Sequence, residues 1–262
     1  MRARNGEVEL AYRTQGAGDP LLLINGSGGT MEFWPAGLLD EFTARGFEVA
    51  RYDHRDTGQS AHLPAADYGM TEMVDDAVAV LDALGWESTH IVGISLGGAI
   101  AQLLAVAHPT RVRTLTSIMS FSSYAIGERS LPDGILTEDP VESLRASLRV
   151  MGSPAFPADE DWIAKIIALR TEHGWDLEGL QRHGKAMVEA GDFRESLREI
   201  DVPTLVMHGT EDRARGIEGG VETAKAIPGA KFVAYSGWGH DLPRALWPSI
   251  VIEIRVLADL RK

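Results

Sequence analysis

The chain has no cysteine among its 262 residues. This absence excludes disulfide bonds, thiolate metal sites and a cysteine nucleophile. Long apolar runs are also missing, and crossing a bilayer as a helix would need about 20 consecutive apolar residues. The first residues, MRARNGEVELAYRTQG, lack the apolar core of a secretory signal. We therefore expect a cytoplasmic protein with no membrane partner.

Basic residues are scarce relative to acidic ones. Lys plus Arg number 25 and Asp plus Glu number 38, which gives a formal net charge of −13. A surface this acidic repels phosphate backbones and anionic lipid headgroups, so nucleic acids and membranes are poor candidate partners. The content of 44% hydrophobic and 24% charged residues is ordinary for a globular protein. The length suits one domain with an insertion.

Short β-type runs alternate with helical patterns along most of the chain. This alternation is typical of a mostly parallel sheet that helices cover on both faces, the α/β class. The helical patterns are 71–84, 96–107, 221–227 and 246–260. The β-type runs are 8–14, 21–24, 48–52, 90–94, 112–119, 204–208 and 231–235.

The region 121–199 interrupts the alternation. It contains four prolines and helix-like pieces such as 161–171, but no convincing strand pattern. A simple crossover between parallel strands needs only about a dozen residues. The region is therefore predicted to be a helical lid, with 1–120 and 200–262 forming the α/β core. An ordinary long run of crossover helices is the alternative.

The segment Gly93-Ile94-Ser95-Leu96-Gly97 has the pattern G-x-S-x-G. It lies between an apolar β-type run and a helical pattern rich in Ala and Leu, which is the setting of a nucleophile elbow. Small residues beside the serine suit the close approach of strand and helix. The alternative is that Ser95 only caps the helix, since serine is a favoured N-cap residue.

With these motifs the chain resembles the α/β-hydrolase family over its whole length except the predicted lid. It is most similar to the aclacinomycin methylesterase-like serine esterases, through YDHRDTGQS at 52–60 and GHDLP at 239–243. The resemblance implies an α/β-hydrolase fold with a helical lid inserted after the sixth core strand. It also implies catalytic residues in the order nucleophile, acid, base, which makes Ser95 the nucleophile.

The resemblance also places the acid and the base. The acid is expected in the loop after 204–208, where the pattern H-G-x-x-D points to Asp212 and Glu211 is the rival. The base is expected after the last β-type run, where His240 follows a glycine. The other seven histidines lie in predicted strands, helices, the lid or the loop after 48–52. A turn residue is the alternative for Asp212, because aspartate is common in turns.

Two backbone N–H groups are expected to form the oxyanion hole. One is that of Leu96, at a helix N-terminus where free donors and the helix dipole favour negative charge. The family resemblance assigns the other to Ser27, in the segment Asn25-Gly26-Ser27-Gly28-Gly29. The family usually has His-Gly where this chain has Asn25-Gly26. A phosphate-binding turn is disfavoured, because the segment has neither G-x-G-x-x-G nor a Lys-Ser/Thr ending.

No metal or cofactor is expected. Asp53 and Asp56 have the chemistry of metal ligands, but no matching histidine or carboxylate cluster accompanies them in the sequence. The predicted partner is a small-molecule ester, and the oligomeric state is left open. Apolar side chains on loops and in the predicted lid are candidates for the substrate pocket: Met31, Phe33, Trp34, Met119, Phe121, Tyr124, Met151, Trp162, Trp175 and Trp238.

Together these residues predict a serine hydrolase that cleaves a carboxylic ester of a small to medium apolar substrate through an acyl-enzyme. The same triad supports C–C bond hydrolysis, perhydrolysis, acyl transfer or amide hydrolysis. Epoxide hydrolases and haloalkane dehalogenases are disfavoured, because their chemistry needs a carboxylate at the position of Ser95. An alternative of another class is a non-catalytic ligand-binding module on the same fold.

Overall fold

All seven predicted strands lie in one sheet, together with a short N-terminal strand. A computed structural model describes residues 1–128, 139–173 and 176–261. The helices are α1 Ala36–Ala44, α2 Met70–Leu84, α3 Leu96–Ala107, α4 Pro140–Met151, α5 Glu160–His173, α6 Leu177–Glu189, α7 Ile217–Ala226 and α8 Trp247–Ala258. The strands are β1 Arg2–Asn5, β2 Val8–Gly16, β3 Asp19–Ile24, β4 Phe47–Tyr52, β5 Thr89–Ile94, β6 Val112–Ile118, β7 Thr204–Gly209 and β8 Lys231–Tyr235.

The strand order of the sheet is β1-β2-β4-β3-β5-β6-β7-β8. The pairs β1–β2 and β2–β4 are antiparallel, and every other neighbouring pair is parallel. After β3 the chain builds outward to β4, then returns to place β5 on the other side of β3. This reversal is a topological switch point, where the loops at the carboxyl ends of two strands diverge and leave a crevice. The loops after β3 and β5 therefore meet at the centre of the sheet.

Helices cover both faces of the sheet. Helices α2 and α3 pack on one face, while α1 and α8 pack on the other, and each face has its own apolar cluster. Every residue of β5 is buried. A strand covered on both faces is apolar throughout rather than alternating, which is why the run at 90–94 was recognisable in the sequence. In the described ranges, no helix combines the length and the apolar character needed to cross a membrane.

Three elements differ from the sequence-based expectation. β1 was not predicted, because only one of its four residues is buried and its charged residues are typical of an edge strand. Helix α1 was not predicted either. Helix α7 begins at Ile217, four positions before the predicted 221, because Gly219 and Gly220 in its first turn weaken the helical pattern.

The region between β6 and β7 carries α4, α5 and α6. The predicted helical piece at 161–171 lies within α5. Residues 139–173 and 176–200 contain none of the eight strands. Helix α6 begins after Asp176, whose carboxylate accepts a hydrogen bond from the N–H of Gly179, 2.6 Å away. This region follows the sixth strand, as expected, while its role as a lid stays a prediction.

A buried ion pair fixes the loop after β4 to helix α2. Arg55 and Asp76 are 5% and 1% exposed and lie 2.6 Å apart. The contact is bidentate, because Nη2 of Arg55 also donates to Oδ1 of Asp76 at 2.7 Å. Asn5 donates to the same carboxylate at 2.9 Å. The first strand, the loop and α2 thus share one buried charge network.

We predict that Asp76→Asn destabilises the protein by about 3 to 5 kcal/mol, because it leaves the Arg55 guanidinium buried without a counter-charge. Urea unfolding followed by circular dichroism measures this change. Asp75→Asn is the matched control, since the neighbouring Asp75 is exposed on the same helix. Equal midpoints for the two variants would contradict a structural role for the pair.

Candidate active site

Ser95 lies in a strained turn between β5 and α3. Its backbone has φ 53° and ψ −121°, a combination rare for any residue other than glycine. Ser95 occupies the N-cap position of α3, but its side chain makes no capping hydrogen bond to the helix. Two neighbouring glycines leave no room for a side chain. A Cβ on Gly97 would lie 2.2 Å from the carbonyl oxygen of Ile24, and one on Gly93 would lie 2.1 Å from that of Gly97.

Asp212 and His240 form a hydrogen-bonded pair on the loops after β7 and β8. Nδ1 of His240 lies 2.7 Å from Oδ2 of Asp212. The aspartate side chain is fully buried, whereas the imidazole is 14% exposed. With its Nδ1–H donated to the carboxylate, the ring has Nε2 as its basic nitrogen. The rival Glu211 is exposed.

The carboxylate of Asp212 is also bound from its other side. Its Oδ1 accepts the N–H groups of Ala214 at 2.9 Å and Arg215 at 2.7 Å. Asp212 is therefore a turn residue as well as the partner of His240. Nε2 of the fully buried His208 lies 3.3 Å from Oδ2. Burial favours the neutral acid, but His240 and His208 outweigh it and hold the pKa of Asp212 well below its ordinary value.

The last residue of α4 and the segment that follows it hold the loop with His240. The N–H of His240 donates to the carbonyl oxygen of Met151 at 2.6 Å, and that of Gly239 donates to Oγ of Ser153 at 2.9 Å. The Ser153 hydroxyl in turn donates to the carboxylate of Asp241. A Cβ on Gly239 would lie 2.5 Å from the Met151 carbonyl oxygen, so only glycine permits this approach. The region between β6 and β7 thus fixes the backbone of the candidate base.

The loop after β3 lies against Ser95. An ideal Cβ on Gly26 would lie 3.3 Å from Cβ of Ser95. The loop is a turn in which the N–H of Gly29 donates to the carbonyl oxygen of Gly26 at 3.1 Å, and Gly28 has φ 63°. Within the described parts of the chain, the N–H groups of Ser27 and Leu96 donate no hydrogen bond. Two backbone donors are therefore available beside the serine.

Asn25 stands where the family usually has histidine. It is fully buried, and its side-chain amide donates to the carbonyl oxygen of Tyr52 at 3.0 Å. Its own carbonyl oxygen is 2.9 Å from Nε2 of His54. The departure from the family pattern therefore keeps the start of the loop anchored to the end of β4.

Three histidines that the sequence did not mark are buried around these loops. His208 touches Asp212, and His54 touches the backbone of Asn25. His183 on α6 contacts Gly28, 155 positions earlier in the chain. Burial lowers the pKa of His54, and burial together with the charge of His54 lowers that of His183 to about 3. His54 lies in the segment 52–60, which carries the family resemblance, but the sequence around His183 has no motif that would indicate a contact with the loop after β3.

The candidate pocket residues occupy different environments. Met119, Trp34 and Trp238 are buried in the apolar cluster beneath α1 and α8, and Phe121 is buried in the other cluster. Their part in a pocket stays a prediction. Trp175 lies outside the described residues. Met31 lines a cavity of about 320 Å³, and Trp162 lines another of about 270 Å³. The rings of Trp162 and Phe33 meet edge to face, with centroids 4.8 Å apart. The ring centroid of Tyr124 lies 3.9 Å from the Arg215 guanidinium, and the carbonyl oxygen of Met151 accepts from the N–H of His240.

One cluster in the described ranges has metal-ligand side chains close together. Ligand atoms of Asp56, His62 and Asp176 lie within 4.8 Å of one another. These atoms are already bound: Asp56 accepts from Tyr68 at 2.6 Å and from Arg182 at 2.8 Å, while His62 is 2.6 Å from Asp176. The Arg182 cation would repel a metal ion. We interpret the cluster as an ion-pair network that joins α6 to the loop after β4.

Comparisons with known proteins agree with the fold and the motifs. Residues 19–148 match the model of the alpha/beta hydrolase fold. Rhodomycin D methylesterase of Streptomyces sp. strain C5 is 33% identical over 275 residues, which cover 91% of each chain. RutD of Azorhizobium caulinodans, provisionally named a carbamate hydrolase, is 32% identical over 96% of this chain and 95% of its own. The crystal structure of a hydrolase from Pseudomonas aeruginosa PA01 has a TM-score of 0.76 and 29% identity, covering 97% of this chain and 95% of that one.

The chain belongs to the α/β-hydrolase fold family. The predicted fold class is confirmed, and so is the resemblance to the methylesterase-like branch.

Proposed function

We propose that this protein is a serine esterase that hydrolyses a carboxylic ester of a small to medium apolar substrate through an acyl-enzyme. The observation that carries the proposal is the 2.7 Å pair of His240 and Asp212 on the sheet edge that also holds the strained Ser95. The methylesterase at 33% identity supports ester hydrolysis as the reaction. The proposed partner is therefore a small-molecule ester.

In the proposed mechanism His240 accepts the proton of the Ser95 hydroxyl while the hydroxyl oxygen attacks the ester carbonyl carbon. Asp212, held ionised by its histidine neighbours, orients the imidazole and stabilises the imidazolium that forms. His240 then protonates the leaving alcohol. Water repeats the sequence on the acyl-enzyme and releases the carboxylic acid.

The oxyanion of each tetrahedral intermediate is proposed to bind the N–H groups of Leu96 and Ser27. Two features support this assignment: neither amide donates elsewhere within the described ranges, and Leu96 is the first residue of α3. A helix N-terminus favours negative charge. Removal of one such donor typically costs about 3 kcal/mol of transition-state stabilisation.

The proposal requires one contact to tighten when substrate binds. In the described part of the chain, no hydrogen bond joins the Ser95 hydroxyl to the His240 ring. Catalytic hydrogen bonds are often long in ligand-free enzymes and shorten in the complex. The His240 backbone is held by Met151, so we expect rotation of side chains rather than movement of the loop to close the gap.

We propose that the region 121–199 is the lid of the site, and that 1–120 and 200–262 form the core. The cavity of about 270 Å³ supports this assignment, because Phe156, Trp162 and Ile163 of the region and Leu242, two positions after His240, line it together. Arg149, Asp159 and Glu160 line the cavity as well, so it is mixed in character, and its size would hold part of a medium-sized substrate. Asp241 also lines it, and burial raises the pKa of this carboxyl.

Assays with other substrate classes would show whether the enzyme prefers a different acyl acceptor or leaving group. Turnover of amides, thioesters, lactones or C–C substrates in preference to esters would replace the proposed substrate class while keeping Ser95 as nucleophile. A purified protein that turns over none of them and reacts with no serine-directed phosphonate would instead be a binding module.

We predict that the protein hydrolyses a short-chain p-nitrophenyl ester and that a fluorophosphonate abolishes this activity by labelling Ser95. Ser95→Ala should lower kcat by several orders of magnitude, because the nucleophile is lost, while the free energy of unfolding stays the same. Intact-mass and peptide mass spectrometry locate the label. Ser249→Ala is the control and should keep full activity and labelling, since Ser249 is exposed on α8. Labelling at another serine would contradict the assignment.

We predict that Asp212→Asn lowers kcat by about 10⁴-fold, because the amide favours the wrong imidazole tautomer. Glu211→Gln is the matched control and should retain near-full activity, since Glu211 is exposed. Steady-state kinetics with the same ester measure both. If Asp212→Asn remains active while Glu211→Gln does not, the acid is misassigned.

A further inference from the structure

His183 is the one histidine of α6, and it faces inward. Its side chain is fully buried, as is that of Ala186 one turn later, while Leu180 and Val188 on the same helix are exposed. Burial of an imidazole is costly unless both ring nitrogens have partners. The surroundings of His183 supply both partners.

The two hydrogen bonds of His183 define its tautomer. Nδ1 lies 3.1 Å from the backbone nitrogen of Gly28, which donates its hydrogen to the ring. Nδ1 is therefore unprotonated, and Nε2 carries the hydrogen that is donated to the carbonyl oxygen of Arg55 at 3.0 Å. Protonation of Nδ1 would remove the acceptor that Gly28 uses. Burial keeps the ring in its neutral form, because it lowers the pKa of His183 to about 3.

The Gly28 amide stands next to a proposed oxyanion donor. In the turn after β3 the N–H of Gly29 binds the carbonyl oxygen of Gly26, and the N–H of Gly28 binds His183. The N–H of Ser27 donates no hydrogen bond within the described ranges. Three glycines in one turn leave the backbone free to adopt other conformations. An external anchor on the peptide between Ser27 and Gly28 therefore restricts the direction of the neighbouring N–H.

A second buried histidine anchors the other end of the same turn. Nε2 of His54 lies 2.9 Å from the carbonyl oxygen of Asn25. The rings of His54 and His183 meet edge to face with centroids 5.7 Å apart. His54 therefore holds the loop after β3 at Asn25, its first residue, and His183 of α6 holds it at Gly28.

We propose that His183 is a positioning residue for the oxyanion hole: its Nδ1 holds the Gly28 N–H, and through it the β3 turn, so that the Ser27 N–H faces the oxygen bound at Ser95. The inference rests on the proposed function for its effect on catalysis. It also implies that the oxyanion hole forms only when α6 is packed against the loops after β3 and β4. Arg182, the residue before His183, donates to the Asp56 carboxylate at 2.8 Å and helps to hold α6 against the loop after β4.

Two amide variants separate positioning from packing. In His183→Asn the side-chain oxygen reaches the Nδ1 position and keeps an acceptor for Gly28. In His183→Gln the amide reaches the Nε2 position, keeps the contact to Arg55 and loses the one to Gly28. We expect His183→Gln to lower kcat for the p-nitrophenyl ester by about 10- to 100-fold with KM within about twofold, a smaller effect than deleting a donor. We expect His183→Asn to stay within about threefold of the unchanged protein.

A residue that only packs would make both variants lose activity equally. Equal kcat values for His183→Asn and His183→Gln, or a folded His183→Gln variant with unchanged kcat, would overturn the proposal. Thermal unfolding of each variant establishes that it is folded.

A second measurement needs no variant and no turnover. Amide hydrogen exchange followed by NMR should show the Gly28 N–H protected and the Ser27 N–H exchanging faster. Rapid exchange at Gly28 would overturn the proposal whatever the kinetics. If the unchanged protein turns over no ester and takes no phosphonate, the proposed function fails on its own, and protection of Gly28 then decides whether His183 holds the turn.

Discussion

The left-handed backbone of Ser95 is the constraint on which the rest of the site depends. A residue at φ 53° between a strand and a helix needs neighbours without side chains. Gly97 meets this need by lying against the carbonyl oxygen of Ile24 at the end of β3. The same approach brings the turn after β3 against the serine. The backbone of Ser95, the first turn of α3 and the turn after β3 therefore depend on the same close packing of glycines against backbone.

Four histidines have three different roles around this site, and burial and hydrogen-bond partners distinguish them. His240 is partly exposed and has its Nδ1 on a carboxylate, which suits proton transfer. His208 is fully buried behind the same carboxylate and helps to keep it ionised. His54 and His183 are buried with lowered pKa values and bind backbone groups of the β3 turn. Because burial keeps His54 and His183 neutral, their rings provide directed hydrogen bonds to this turn without adding buried charge.

The sequence predicted what depends on local pattern. The elbow was recognisable because its glycines, its apolar strand and its helix are adjacent in the chain, and α3 has the predicted bounds. Asp212 was preferred to Glu211 from loop position, and the structure pairs Asp212 with His240. Contacts between distant segments were not predictable in this way. The bond between Gly28 and His183 joins residues 155 positions apart, and the bonds of Met151 and Ser153 to the His240 loop depend on how α4 packs, which no local pattern indicates.

The structure of a phosphonate adduct would test the catalytic arrangement most directly. A phosphonyl group on the serine oxygen imitates the tetrahedral intermediate, so its oxygen should lie within about 3 Å of the backbone nitrogens of both Leu96 and Ser27. Nε2 of His240 should then lie within hydrogen-bonding distance of an oxygen bound to phosphorus. An adduct whose phosphonyl oxygen points away from both amides, with the His240 ring out of reach, would contradict the proposed mechanism.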